Sequence, residues 1–193
     1  MTPLIEMDNL FEEAILRRYR SGAVIFTEGD QYNYLYRRKE VMIKCVTVVQ
    51  TNDDEFIVEI IKPGELFGLV EYISKSTMIT SAICMKECQV ECLKPLKHIP
   101  SVITLELAKK TRVLTEKISD FALLSVYQRV AKLINSLADE NGVATRYTHQ
   151  QMSDMIGSSR EMVSILMKQL REGDFIVVDK DTITIKKPLP KTY

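Results

Sequence analysis

Between Thr148 and Ile185 the spacing of apolar positions changes from helical to alternating, outlining helix, tight turn, helix and hairpin. Met152 and Ile156 share one helical stripe, and Val163, Leu166 and Leu170 recur at spacings of three and four, as in amphipathic helices packed on each other. Thr148 with Gln151, and Ser158 with Glu161, match the capping box, in which two side chains satisfy N–H groups that a helix start leaves unpaired. Gly157 supplies the turn between the helices, since glycine takes positive φ without steric cost. After Gly173 the runs Phe175–Val178 and Thr182–Ile185 are short and β-branched, joined by Asp179-Lys180-Asp181, which predicts a wing. The second helix turns Arg160, Glu161, Ser164 and Lys168 away from its apolar stripe, a polar face of the kind that reads base edges in a major groove.

Upstream, from about Arg20 to Pro95, apolar residues alternate in short runs. Val24-Ile25-Phe26, Val41–Val49, Phe56–Ile61, Ser81–Met85 and Gln89–Leu93 are separated by turn residues such as Glu28-Gly29-Asp30, Asn52-Asp53-Asp54 and Pro63-Gly64. Many short, evenly punctuated strands predict an antiparallel jelly roll or barrel. A glycine-free helical stretch follows, roughly Pro100 to Leu124. Leu107, Leu114 and Phe121 are spaced by seven, with Ile103, Ile118 and Leu124 in alternate positions, the stripe of a two-stranded coiled coil. Packing of that stripe on the chain's own roll is the alternative. A further helix, Val126 to Ala138, directs Val130, Leu133, Ile134 and Leu137 inward and stops near Asp139-Glu140-Asn141-Gly142. The fold class is therefore α+β. Residues 1–98 are read as a β-roll, 99–125 as the long helix and 126–193 as a winged helix-turn-helix; the resemblance described below implies a sensory role for the roll and dimerisation for the helix.

With 193 residues, 46% of them hydrophobic, the chain is long enough for one large or two small domains. Formal net charge is zero, which argues against bulk electrostatic binding of nucleic acid. From Val126 onward ten basic residues face eight acidic ones, so affinity for DNA rests on a few placed phosphate contacts and on dimerisation. Neither a secretory apolar region nor a membrane-spanning run is present in the sequence, and a cytoplasmic or organellar-matrix protein is expected. Cys84, Cys88 and Cys92 lie at intervals of four but straddle two strands and their turn, without a C-x-x-C pair or a nearby histidine. Reduced buried thiols are the expectation, with no metal. Phosphate-binding and hydrolase motifs are missing, and His98 and His149 are far apart, so the chain is not read as an enzyme. A stand-alone small-molecule sensor is the rival, but it would not need the polar face of the second helix.

The stretch His149-Gln150 … Ile156-Gly157-Ser158-Ser159-Arg160-Glu161 … Val163-Ser164 … Leu170-Arg171-Glu172 closely resembles the DNA-binding helices of the cAMP receptor protein/fumarate-nitrate regulator (Crp/Fnr) family. Ile183-Thr184-Ile185-Lys186-Lys187-Pro188 looks most like the wing of its global nitrogen regulator (NtcA-type) subgroup. Gly22 … Phe26 … Glu28-Gly29-Asp30 and Pro63-Gly64-Glu65-Leu66-Phe67-Gly68 resemble the family's cyclic-nucleotide-binding-like sensory domain.

The resemblance implies a homodimer joined through Ile103, Leu107, Leu114, Ile118, Phe121 and Leu124, bound to a pseudo-palindromic duplex and working with RNA polymerase. Its DNA-contacting residues would be Thr148, His149, Gln150, Ser158, Ser159, Arg160, Glu161, Ser164, Lys168, Lys180 and Lys186, with half-site centres about 34 Å apart. Where relatives carry a base-reading arginine this chain has Ile165. Cyclic-nucleotide-binding relatives place a glutamate and an Arg-Ser pair where Leu69 and Thr80-Ser81 stand, and a threonine hydroxyl cannot replace a guanidinium fork. Binding of cAMP is therefore not expected. Phe67, Gly68, Leu69, Val70, Thr80, Ser81 and Arg129 resemble the surroundings of 2-oxoglutarate in the nitrogen regulators, although those too carry arginine at the Thr80 position. A protein that needs no effector is the alternative. The family's iron–sulfur members use an N-terminal cysteine group, and none precedes Cys45. The resemblance leaves the cytoplasm or the plastid stroma as compartments.

Overall fold

A computed structural model describes residues 3–39, 45–51, 54–62 and 64–192. The chain divides into a unit of residues Met1–Val113 and a unit of Leu114–Tyr193. The division falls inside the long helix.

The N-terminal unit contains helix α1 (Pro3–Leu10), strands β1 (Ile15–Tyr19), β2 (Val24–Phe26), β3 (Leu35–Arg38), β4 (Cys45–Thr51), β5 (Asp54–Ile61) and β6 (Leu66–Phe67), helix α2 (Leu69–Ser74), and strands β7 (Ser81–Cys84) and β8 (Cys88–Leu93). Its described strands form two four-stranded sheets, ordered β1-β8-β3-β6 and β2-β7-β4-β5, with every pairing antiparallel. This is the jelly-roll arrangement that the punctuated runs predicted. Part of the run Val41–Val49 and part of the turn Asn52-Asp53-Asp54 lie outside the described residues.

Strands β3 and β6 are buried on both faces, because successive side chains point to opposite sides of a strand. Tyr36 and Phe67 enter a cluster with Phe26, Ile61, Met78, Ala82 and Val90. Their neighbours Leu35 and Leu66 join Met7, Phe11, Leu69, Tyr72, Val102 and Ile103 beneath the helices. Strand β1 and helices α1 and α2 went unanticipated in the sequence. They are short, and α1 is held by tertiary contacts: Arg37 bonds Asp8 at 2.7 Å and Glu91 at 2.7 Å, and lies over the Phe11 ring.

Two expectations change here. Ile103, placed on the dimer stripe, is fully buried in the N-terminal core, and Leu107 packs against the same cluster. Ile103 has no surface to offer a partner, and Leu107 is half-buried, because the first turns of the helix use the stripe to cover the roll. The cysteines also differ from four reduced thiols. Cys84 and Cys88 form a disulfide across the turn that joins β7 to β8. Cys92 remains a free buried thiol, and burial pushes it up to about 11. The Cys45 side chain lies outside the described residues.

Helix α3 (Ser101–Leu123) matches the predicted stretch. Leu124 lies just beyond it. The C-terminal unit continues with α4 (Val126–Leu137), β9 (Val143–Thr145), α5 (His149–Ile156), α6 (Arg160–Glu172), β10 (Ile176–Val178) and β11 (Thr182–Ile185). Its sheet runs β10-β11-β9, so the predicted hairpin gains a third strand. Tyr127, Val130, Ala131 and Ile134 of α4 are buried; Leu133 and Leu137 are half-buried.

Candidate nucleic-acid interface

The turn between α5 and α6 is built by local chemistry first. Thr148 Oγ1 accepts from the Gln151 N–H at 3.1 Å and the Gln151 side chain accepts from the Thr148 N–H at 3.0 Å, the predicted capping box. The second predicted box does not form: Ser159, not Ser158, caps α6, its hydroxyl accepting from the Met162 N–H at 3.2 Å. Ser158 instead lies in the turn, its N–H donating to Ser153 O at 3.1 Å. An equivalent box at Ser125 and Gln128 opens α4 and was legible in the sequence, though unclaimed.

Gly157 sits at φ +59°, and a Cβ there would lie 2.8 Å from Cε1 of Phe121. Phe121 is therefore packed against the helix-turn-helix of its own chain. Arg129, placed by resemblance among the effector residues, also belongs to this junction. It donates to Phe121 O at 3.3 Å and Gly157 O at 3.4 Å while stacking 5.2 Å from the Phe121 ring centroid. Its described partners all lie in the C-terminal unit.

Helix α6 presents two faces. Val163, Leu166, Met167 and Leu170 are buried against the unit's core. Arg160, Glu161, Ile165 and Lys168 are exposed. Ser164 is half-buried, its hydroxyl 2.8 Å from Nδ1 of His149, so the first helix steadies a side chain of the second. Burial, then the charges of Arg146, Arg171 and Arg160, hold the His149 imidazole below the ordinary histidine value. Arg146 and Arg171 thus add positive charge beside the candidate residues, and sequence reasoning missed both. Arg146 also fastens the wing turn, donating to Asp179 O at 2.8 Å. Gln150 bonds Asp154, Lys168 pairs with Glu172 and Lys186 with Asp174, all at the surface; Lys180 is exposed on the wing turn.

In the N-terminal unit the candidate effector residues do not share one environment. Phe67 and Leu69 are buried in separate clusters, and Val70 is 43% exposed. Gly68 is left-handed, and a Cβ there would meet Tyr36 at 3.1 Å and Met78 at 3.2 Å. Thr80 is half-buried, and Ser81 Oγ accepts from Glu28 N–H at 2.9 Å. Glu71, which the sequence reading passed over, is buried and accepts from the Ile79 N–H at 3.2 Å. Among the described residues no cluster of histidine, cysteine and acidic side chains is placed to hold a metal, and no helix is long and apolar enough to cross a membrane.

A β-roll joined by a long helix to a winged helix-turn-helix is the architecture of a two-domain transcription regulator. Residues 16–95 match the cyclic nucleotide-binding domain family, and residues 128–188 match the Crp-like helix-turn-helix domain family. The chain is 27% identical over 208 residues to the cAMP-activated global transcriptional regulator Vfr of Pseudomonas aeruginosa, covering 95% of each. Its fold is similar to that of the c-di-GMP responsive global regulator CLP of Xanthomonas campestris, with TM-score 0.78, 20% identity and coverage of 95% of this chain and 98% of that one. FixK2 of Bradyrhizobium japonicum also gives 0.78, at 18% identity, covering 91% and 93%. The chain belongs to the Crp/Fnr family: it is a DNA-binding transcription regulator with a cyclic-nucleotide-binding domain, and relatives such as Vfr and CLP are regulators, not enzymes.

Proposed function

We propose that this regulator acts as a homodimer on a two-fold symmetric operator in the cytoplasm, and that it reaches its DNA-binding form without cAMP. The observation that carries the first part is the exposed outward face of α6, with Arg160 and Glu161 just past the Ser159 cap and the opposite stripe buried. Arginine can grip phosphate or guanine and glutamate accepts from cytosine N4. Dimerisation is supported by Leu114 and Ile118, 40% and 68% exposed on α3, which continue the apolar stripe past the residues that cover the roll. RNA polymerase is the partner through which such a dimer would act.

The second part rests on the loop around α2. A cyclic phosphate calls for a charged donor fork, but Thr80-Ser81 offer only hydroxyls at that place, and the neighbouring Ile79 N–H is taken by Glu71. Vfr is cAMP-activated whereas CLP is c-di-GMP responsive, so the roll itself does not prescribe one effector. A role in nitrogen control rests on the resemblance of the wing and of Phe67-Gly68-Leu69-Val70, with 2-oxoglutarate as the ligand it would imply.

The test is selection of bound duplexes from a random pool without effector, repeated with cAMP, c-di-GMP and 2-oxoglutarate. Enrichment of a symmetric motif in the first selection supports the proposal. Enrichment only with an added ligand overturns its effector-free part and names the ligand. On the selected operator, Glu161→Ala relaxes discrimination at one base pair by roughly 1–3 kcal/mol, whereas Lys186→Ala weakens all sequences alike. Equal losses on matched and mismatched duplexes for Glu161→Ala would remove its reading role.

A further inference from the structure

Ile165 is 52% exposed, and its helical neighbours at three and four residues, Glu161, Met162, Lys168 and Gln169, are all exposed as well. It therefore sits inside the outward face of α6, away from the rim of the buried stripe formed by Val163, Leu166, Met167 and Leu170. A branched aliphatic side chain there leaves half its surface in water and has no hydrogen-bonding group to offer a base edge.

We infer that Ile165 is a specificity-determining residue that packs on the C5-methyl group of a thymine in the major groove. The inference rests on the DNA-binding reading of α6 given above. Its chemistry follows from the groove: thymine alone presents a methyl group there, next to an acceptor that can stay hydrated. Cytosine at the same place lacks the methyl and would turn its N4 donor toward an apolar side chain, leaving it unpaired. Placement follows from helix geometry. Ile165 is one turn beyond Glu161, about 6 Å along the axis, against about 3.4 Å per base pair, so the thymine lies within about two base pairs of the cytosine that Glu161 reads. Ser164, half-buried and bonded to His149 at 2.8 Å, lies at the edge of that face.

The probe is the operator selected by the full-length protein, synthesised with deoxyuridine replacing the thymine, which removes the methyl and nothing else. Burying one methyl group is worth about fourfold in affinity per half-site, so a symmetric replacement weakens wild-type binding by about 15-fold. Ile165→Ala should bind the thymine and uracil operators equally and accept cytosine at that position. Its exposed site makes the variant a mild one for folding, and unchanged circular dichroism checks that. Equal uracil sensitivity in wild type and Ile165→Ala, or a selected operator without thymine in that window, overturns the assignment while leaving DNA binding intact. Failure to select any sequence under every effector condition overturns the DNA-binding reading itself, and this assignment with it.

Discussion

Replacing Gly157 by alanine tests the joint between the long helix and the helix-turn-helix. The added Cβ meets Phe121 Cε1 at 2.8 Å, a separation that real Cβ contacts do not hold, and the residue stays at φ +59°. The left-handed backbone costs an alanine about 1–2 kcal/mol. Forcing the ring aside costs about 1–3 kcal/mol more, because the ring is itself held beneath the Arg129 guanidinium. Hydrogen exchange of α5 and α6 amides in the full-length chain should therefore report a loss of about 2–5 kcal/mol, summing the two terms. In a Phe121→Leu background the steric part disappears and only the backbone cost, about 1–2 kcal/mol, remains. An alanine cost that is the same in both backgrounds, within about 0.5 kcal/mol, would refute the contact as the source of the effect.

Arg129→Gln removes charge-assisted bonds to Phe121 O and Gly157 O and should cost the C-terminal unit about 1–3 kcal/mol in the same exchange measurement. Unchanged stability with a lost response to 2-oxoglutarate would return the residue to an effector role. The lowered pKa of His149 means that the unfolded chain binds the more protons as pH falls below the ordinary histidine value of about 6.5. The stability it contributes is complete above that value and is lost as pH falls through the folded-state pKa. Melting between pH 7.5 and about 5 should fall more steeply for wild type than for His149→Gln, and parallel curves would contradict this. Leu114→Glu with Ile118→Glu should convert the dimer to monomer in sedimentation and lower operator affinity at least about tenfold, since each half-site then binds alone. A variant that stays dimeric would move the interface elsewhere.

The winged helix-turn-helix was legible in the sequence because its determinants are local. The Thr148 box, the glycine turn and the period-three-and-four stripe of α6 each lie within a few residues, and the structure places them as read. The roll was legible as a class, since alternation and turn residues mark strands one at a time. Which strands pair was not, and β1, β6 and β9 were too short or too unpatterned to declare themselves. Helix α3 shows the limit of periodicity. One seven-residue repeat carries Ile103 into the N-terminal core, leaves Leu114 and Ile118 exposed and packs Phe121 on Gly157, three environments that the pattern reads as one.

Local spacing by itself determined an α+β chain of punctuated strands, a long helix and a helix-turn-helix with a capped, polar-faced second helix, and the resemblance of its motifs supplied the family. Tertiary structure alone decided where the long-range partners fall: Arg129 at the helix-turn-helix joint, Arg146 and Arg171 around His149, Glu71 turned onto the Ile79 amide, and Cys84 joined to Cys88. The physical reason is the range of the interactions. Caps and helical stripes are closed by neighbours in sequence, whereas these contacts depend on sheets and helices whose registry is set by burial of the whole core.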